Sequence, residues 1–187
     1  MERQDDGGEW IFGYGSLMWR PGFSYVETLP ALLRGYHRSF CVFSHFYRGT
    51  PDEPGLVLGL APGGTCQGLA FRVRTAEFPA VKAYLDEREL VSYAYTADRL
   101  AVETAHGEVR AYTFVADPRH PQYAGELGLV RSAEFIVRAQ GHAGLNRDYL
   151  IETIRRLEQE GFSDDALHAL LRRVEYLTGV LEAGGGI

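Results

Sequence analysis

Hydrophobic and polar positions along this chain follow two different rhythms. From residue 31 to 116 the apolar residues alternate or come in short runs, and LLRGYHRSFCVFS, LVLGLAP, CQGLAFRVR, VSYAYTADRLAVET and EVRAYTFVA read as strands. In CQGLAFRVR, Leu69, Phe71 and Val73 fall on one face and Ala70, Arg72 and Arg74 on the other. The segments TPDEPG, PGGT and AHGE between these runs read as turns, and Trp10, Ile11 and Phe12 add a further strand-like run upstream. Such a set predicts an antiparallel-looking sheet with one wet face, curled or closed into a barrel. Helical spacing takes over elsewhere. PAVKAYLDERE (79–89) predicts a helix with Pro79 in its opening turn, and a second follows the loop DPRHPQYAGE around SAEFIVRAQG. Two more are expected in NRDYLIETIRRLEQEG, capped by Asn146, and SDDALHALLRRVEYL, capped by Ser163. Their stripes of Ile151, Ile154 and Leu157, then Leu167, Leu170, Leu171 and Val174, suit helices packed on a core. The pattern predicts an α+β fold, a single domain over 10–179 between flexible tails at 1–9 and 180–187.

Two glycines two residues apart break the first strand, in WIFGYGSLMWRP. Gly13 and Gly15 let the backbone turn sharply and come close to a ligand without an intervening Cβ, leaving bare N–H groups that suit an anionic or carbonyl oxygen. Phosphate is not implied, because a Walker A loop needs a lysine that the turn lacks. A dinucleotide fingerprint would need glycine at Met18, and a nucleophile elbow would need it at Tyr14 and Met18. Taken alone, the turn favours a purely structural reading, since glycines are common in turns and functional ones few.

The charge run Asp86-Glu87-Arg88-Glu89 closes the first helix. At about 100° per residue with Leu85 as zero, Phe78 falls near +20°, Val81 near −40° and Glu89 near +40°. Glu89 therefore shares the apolar stripe. Asp86, at about 100°, lies on its border, and Glu87, at about 200°, faces solvent, as ordinary surface acids do. A carboxylate facing a core has a raised pKa and is a candidate general base. The structural alternatives are a pair with Lys82, about 60° round the wheel, or a helix end turning outward.

Composition narrows the chemistry. A net charge of −6 over 187 residues, with no stretch dense in Lys and Arg, excludes the footprint of a nucleic-acid binder and favours a small-molecule partner. No apolar run approaches the ~18 residues of a spanning helix, and no signal-peptide pattern is present, so a cytoplasmic protein is expected. Cys41 and Cys66 lack metal spacing, and the six histidines form neither H-x-H nor H-E-x-x-H; no metal site is expected.

In order along the chain, IFGYGSLMWRP, LLRGYHRSF, YRGTPDEPGLV, YLDERE and GLNRDYL resemble the ChaC-type γ-glutamylcyclotransferases, enzymes that act on glutathione. The resemblance runs from about Trp10 to Tyr149. It implies a small β-barrel with flanking helices, no cofactor, and cyclisation of a γ-glutamyl unit to 5-oxoproline with release of Cys-Gly. It also implies that Glu89, in the Arg88-Glu89 pair, is the base. Gly13, Tyr14, Gly15, Ser16 and Leu17 would line the γ-glutamyl pocket, and Tyr149 would stand near it. Arg48, in an Arg-Gly pair, is a weaker match. Leu90, Val91 and Ser92 precede Tyr93 where eukaryotic members run Gly-Gly-Tyr or similar, and their bulk is expected to narrow the entrance. The competing readings are a cyclotransferase for other γ-glutamyl amines or amino acids, and a module that binds a small acid without turning it over. Oligomeric state is left open.

Overall fold

The computed structural model describes residues 7–90 and 94–179. Residues 1–6 of the expected tail at 1–9, the expected tail at 180–187, and Val91, Ser92 and Tyr93 lie outside the described residues, while Glu9, expected in the tail, opens the first strand. Five strands close a barrel in the order β1-β3-β2-β4-β5, where β1 is Glu9–Gly13, β2 Glu27–Ser44, β3 Gly55–Val73, β4 Tyr95–Thr104 and β5 Gly107–Ala116. Helices α1 (Phe78–Glu89), α2 (Leu129–Arg138), α3 (Asn146–Gln159) and α4 (Asp165–Leu177) accompany it, so the expected α+β barrel class holds. The sheet is mixed: β1 pairs antiparallel with β3, Gly13 opposite Leu69, but parallel with β5, Ile11 opposite Tyr112.

By contacts the chain divides into two compact units, residues 1–38 with 60–117, and residues 39–59 with 118–187. In the first, Phe12, Leu33, Leu60, Ala70, Val102 and Ala111 pack a core no more than 1% exposed. Each large side chain buried this way is worth about 1.5–3 kcal/mol. Buried Phe78, Val81 and Leu85 give α1 its inward face, as the wheel predicts.

PGGT does not end a strand. β3 runs on through Gly63 and Gly64, at φ 94° and 71°, a left-handed pair that only glycine adopts without cost, and His37 Nδ1 donates to the Gly63 carbonyl at 2.9 Å.

In the second unit α2, α3 and α4 bury Ile136, Leu150, Leu157, Leu170 and Val174. Neither expected cap forms. Asn146 is the first residue of α3 and its side chain is fully buried, accepting from Leu56 N and donating to Leu56 O, both at 2.8 Å. It thus completes the edge of β3 instead of capping its own helix. α4 is capped by Asp164, whose carboxylate accepts from Leu167 N at 3.1 Å, one residue beyond the expected Ser163. A two-residue pair, β6 (Gln140–Gly141) with β7 (Gly144–Leu145), precedes α3 and had no counterpart in the sequence pattern.

Candidate active site

Strand β1 ends at Gly13, and the chain passes through Tyr14 and Gly15 into one turn of 3-10 helix, Ser16–Met18. Close packing makes this turn possible. A Cβ on Gly13 would sit 3.1 Å from that of Leu17 and 3.3 Å from the Phe71 ring. A Cβ on Gly68, in β3, would collide with the Gly13 carbonyl and lie 2.8 Å from the Phe12 ring. Gly68 has no place in the sequence argument, although it is what lets β3 approach the turn. Tyr14 is anchored at both ends: its hydroxyl donates to Phe114 O at 2.9 Å, and its carbonyl accepts from Nε of the buried Arg38 at 2.6 Å. Its phenol therefore faces the barrel. Leu17 is buried and Ser16 partly so.

Glu89 is the last residue of α1, and its side chain is 23% exposed. Burial pushes its carboxyl above the usual carboxylate range, and the Arg88 cation, Nε to Oε1 3.3 Å, pulls it part of the way back. The pair with Lys82 that the wheel allowed is not formed. Lys82 instead lies 2.5 Å from Asp86, which also accepts from the Tyr112 hydroxyl of β5. Asp86 is thus no ordinary surface acid. Both partners hold its carboxyl below the usual range against the opposing effect of burial, its largest single influence. Glu87 is exposed, as expected.

Arg88 joins the helix end to the turn. Its Nη2 donates to Ser16 Oγ at 2.9 Å, and its Nη1 to Arg20 O at 2.6 Å and to Tyr84 Oη at 3.1 Å. The sequence carried a signal for this: on the same wheel Arg88 falls at about −60°, about 20° from Val81 and on the edge of the buried stripe. The structure thus brings Gly13 to Leu17 and Glu89 together through Arg88.

Tyr149 belongs to the second unit. Its ring meets Phe40 edge-on at 5.7 Å, and the Arg48 guanidinium lies 5.3 Å over it while Arg48 Nη1 donates to Leu145 O at 3.1 Å. Among the described residues no group of three or more His, Cys, Asp and Glu could hold a metal ion, and no helix is long and apolar enough to cross a membrane.

The family model for ChaC-like protein matches residues 9–177, nearly the whole described chain. This chain belongs to the ChaC-like family. A glutathione-specific gamma-glutamylcyclotransferase of Escherichia coli (strain K12) is 36% identical over 97% of this chain and 82% of its own length. A gamma-glutamylcyclotransferase 2-3 of Arabidopsis thaliana is 34% identical over 90% of this chain and 89% of its own. Among solved structures, that of a gamma-glutamylcyclotransferase specific to glutathione from yeast superposes with a TM-score of 0.82, at 22% identity over 91% of this chain and 99% of the other, and so shares the fold. The ChaC-like match begins at Glu9, where β1 begins, and ends at Leu177, where α4 ends.

Proposed function

We propose that this chain is a γ-glutamylcyclotransferase acting on glutathione, with Glu89 as its general base. The observation that carries the reading is a partly buried carboxylate of raised pKa, linked through one arginine to a glycine-rich turn. Relatives named for this activity at 34% and 36% identity support it. Glu89 takes a proton from the α-ammonium of the γ-glutamyl unit, and the freed nitrogen attacks that unit's own γ-carbonyl. A five-membered ring closes, the amide bond to cysteine breaks, and the proton passes to the departing amine. The products are 5-oxoproline and Cys-Gly. Nucleophile and electrophile share one molecule, so the enzyme's chief task is to hold the substrate in an attacking conformation. The backbone amides of Gly15, Ser16 and Leu17 are suited to the oxygens of the γ-glutamyl group, and Tyr149 is the candidate further along the chain. A cytoplasmic site of action suits two cysteines that are both free thiols.

Incubation with reduced glutathione should yield 5-oxoproline and Cys-Gly in equal amounts, and γ-glutamyl-alanine should be turned over much more slowly. Comparable kcat/KM for the two would move the chain to a broader cyclotransferase class. No product from either would leave the acid-binding module.

The pH profile offers a second check. A base works only when ionised, so kcat/KM should fall as the pH drops through the Glu89 pKa. Because burial raises that pKa, the acid limb should lie above the ordinary carboxylate value of about 4.3. A profile flat down to pH ~4 would remove Glu89 from the role.

A further inference from the structure

Glu89 supplies the proton transfer and the turn supplies the amides, which leaves Arg88 without a task in the reaction. It is, however, tied to both. We propose that Arg88 is a positioning residue, holding the Glu89 carboxylate and the Ser16 hydroxyl in one frame and leaving the Ser16 proton to be donated to a substrate oxygen. The inference rests on the cyclotransferase reading.

Three features of Arg88 argue for it. Its guanidinium has donors and no acceptor, so the 2.9 Å bond to Ser16 Oγ must run from arginine to serine. The serine oxygen accepts there, and its own proton is left for another group; among the described residues Ser16 Oγ donates to none. Next, the guanidinium cannot swing away, because Nη1 is fixed on Arg20 O and Tyr84 Oη and the side chain is only 24% exposed. Finally, Nε stands 3.3 Å from Glu89 Oε1, so one rigid plane touches base and turn at once. Lysine, with a single point-like ammonium, has no such fork. The charge acting on Glu89 is that of Arg88, since Lys82, Asp86 and Tyr112, which share α1 and β5, are engaged with one another.

The test uses the full chain with Arg88→Gln, Arg88→Lys, Ser16→Ala and the double variant Arg88→Gln/Ser16→Ala, each checked for folding by circular dichroism. Arg88→Gln should lose about 10²-fold in kcat, the order expected when reacting groups are misplaced by an ångström. Its acid limb should also move to higher pH, because the cation that steadies the ionised Glu89 is gone. Arg88→Lys should keep more of the parental limb while still losing kcat. Losses in the double variant should fall well short of additive, because both changes sever one link. A role confined to stability would lower the melting temperature and leave the limb where it was. An unmoved limb with kcat within about twofold of the parent, or fully additive losses, overturns the proposal. Should Arg88→Gln fail to fold, the Arg88→Lys and Ser16→Ala kinetics decide by the same criterion. The parent separates the two levels: an inactive parent sinks the cyclotransferase reading, whereas an active parent with indifferent variants sinks only the role of Arg88.

Discussion

Glu89→Gln should give a folded protein that still binds 5-oxoproline and has lost nearly all of its turnover. Gln keeps the shape and hydrogen-bonding capacity of Glu but cannot take the proton from the substrate ammonium. A positioned base contributes about 10²–10⁴ in rate, and in the proposed mechanism this one also returns its proton to the leaving amine, so the loss should fall in the upper part of that range. The neighbouring acid supplies a control, since Glu87→Gln alters the same formal charge on the same helix, about 160° away on an exposed face, and should cost little. Steady-state kinetics on glutathione would measure both. Retention of more than about a tenth of parental kcat in Glu89→Gln would mean that another group is the base.

The second large effect is on the fold. Gly68→Ala should destabilise the chain by about 1–3 kcal/mol, the usual cost of forcing one extra methyl into a close-packed site. That Cβ would run into the Gly13 carbonyl and the Phe12 ring, and a backbone oxygen cannot rotate aside as a long side chain can. β1 and β3 would have to part where Gly13 faces Leu69. For a chain of this size the melting temperature should drop by roughly 2–10 °C, measurable by calorimetry. The turn follows directly after Gly13, so the folded fraction should also bind 5-oxoproline less well. An unchanged melting temperature would show that the strands can absorb the methyl.

Much of the candidate site could be read along the chain because its parts are local. Glu89 declares itself by the helical period, which needs only the residues from Phe78 onward, and the turn by two glycines two positions apart. What escaped depends on residues distant in sequence. Arg88 lay on the edge of the same wheel, yet its value comes from Ser16 and Arg20, 72 and 68 positions away. Gly68 matters only because Gly13 lies against it, and the parallel pairing of β1 with β5 joins positions about 100 apart. Asn146 has the residue type of a helix cap, and local propensity gives no hint that a strand edge at Leu56 would claim its amide instead. PGGT looked like a turn because glycine pairs usually are, while here the same conformational freedom carries a strand across a bend.

The half-buried carboxylate at the end of α1 has a thermodynamic side as well. Its pKa is higher in the folded chain than in the unfolded one, so the unfolded chain gives up this proton more readily. The contribution of Glu89 to stability is therefore whole below the unfolded pKa of about 4.3 and drains away as the pH climbs through the folded value. At neutral pH the ionised Glu89 is a standing burden on the fold. Glu89→Gln, which never ionises, should melt at a higher temperature than the parent near pH 7, and the two curves should converge in acid. If Glu89 is the proposed base, function and durability pull against each other at one side chain, and Glu89→Gln would be the hardier form for crystallisation or for trapping intact glutathione.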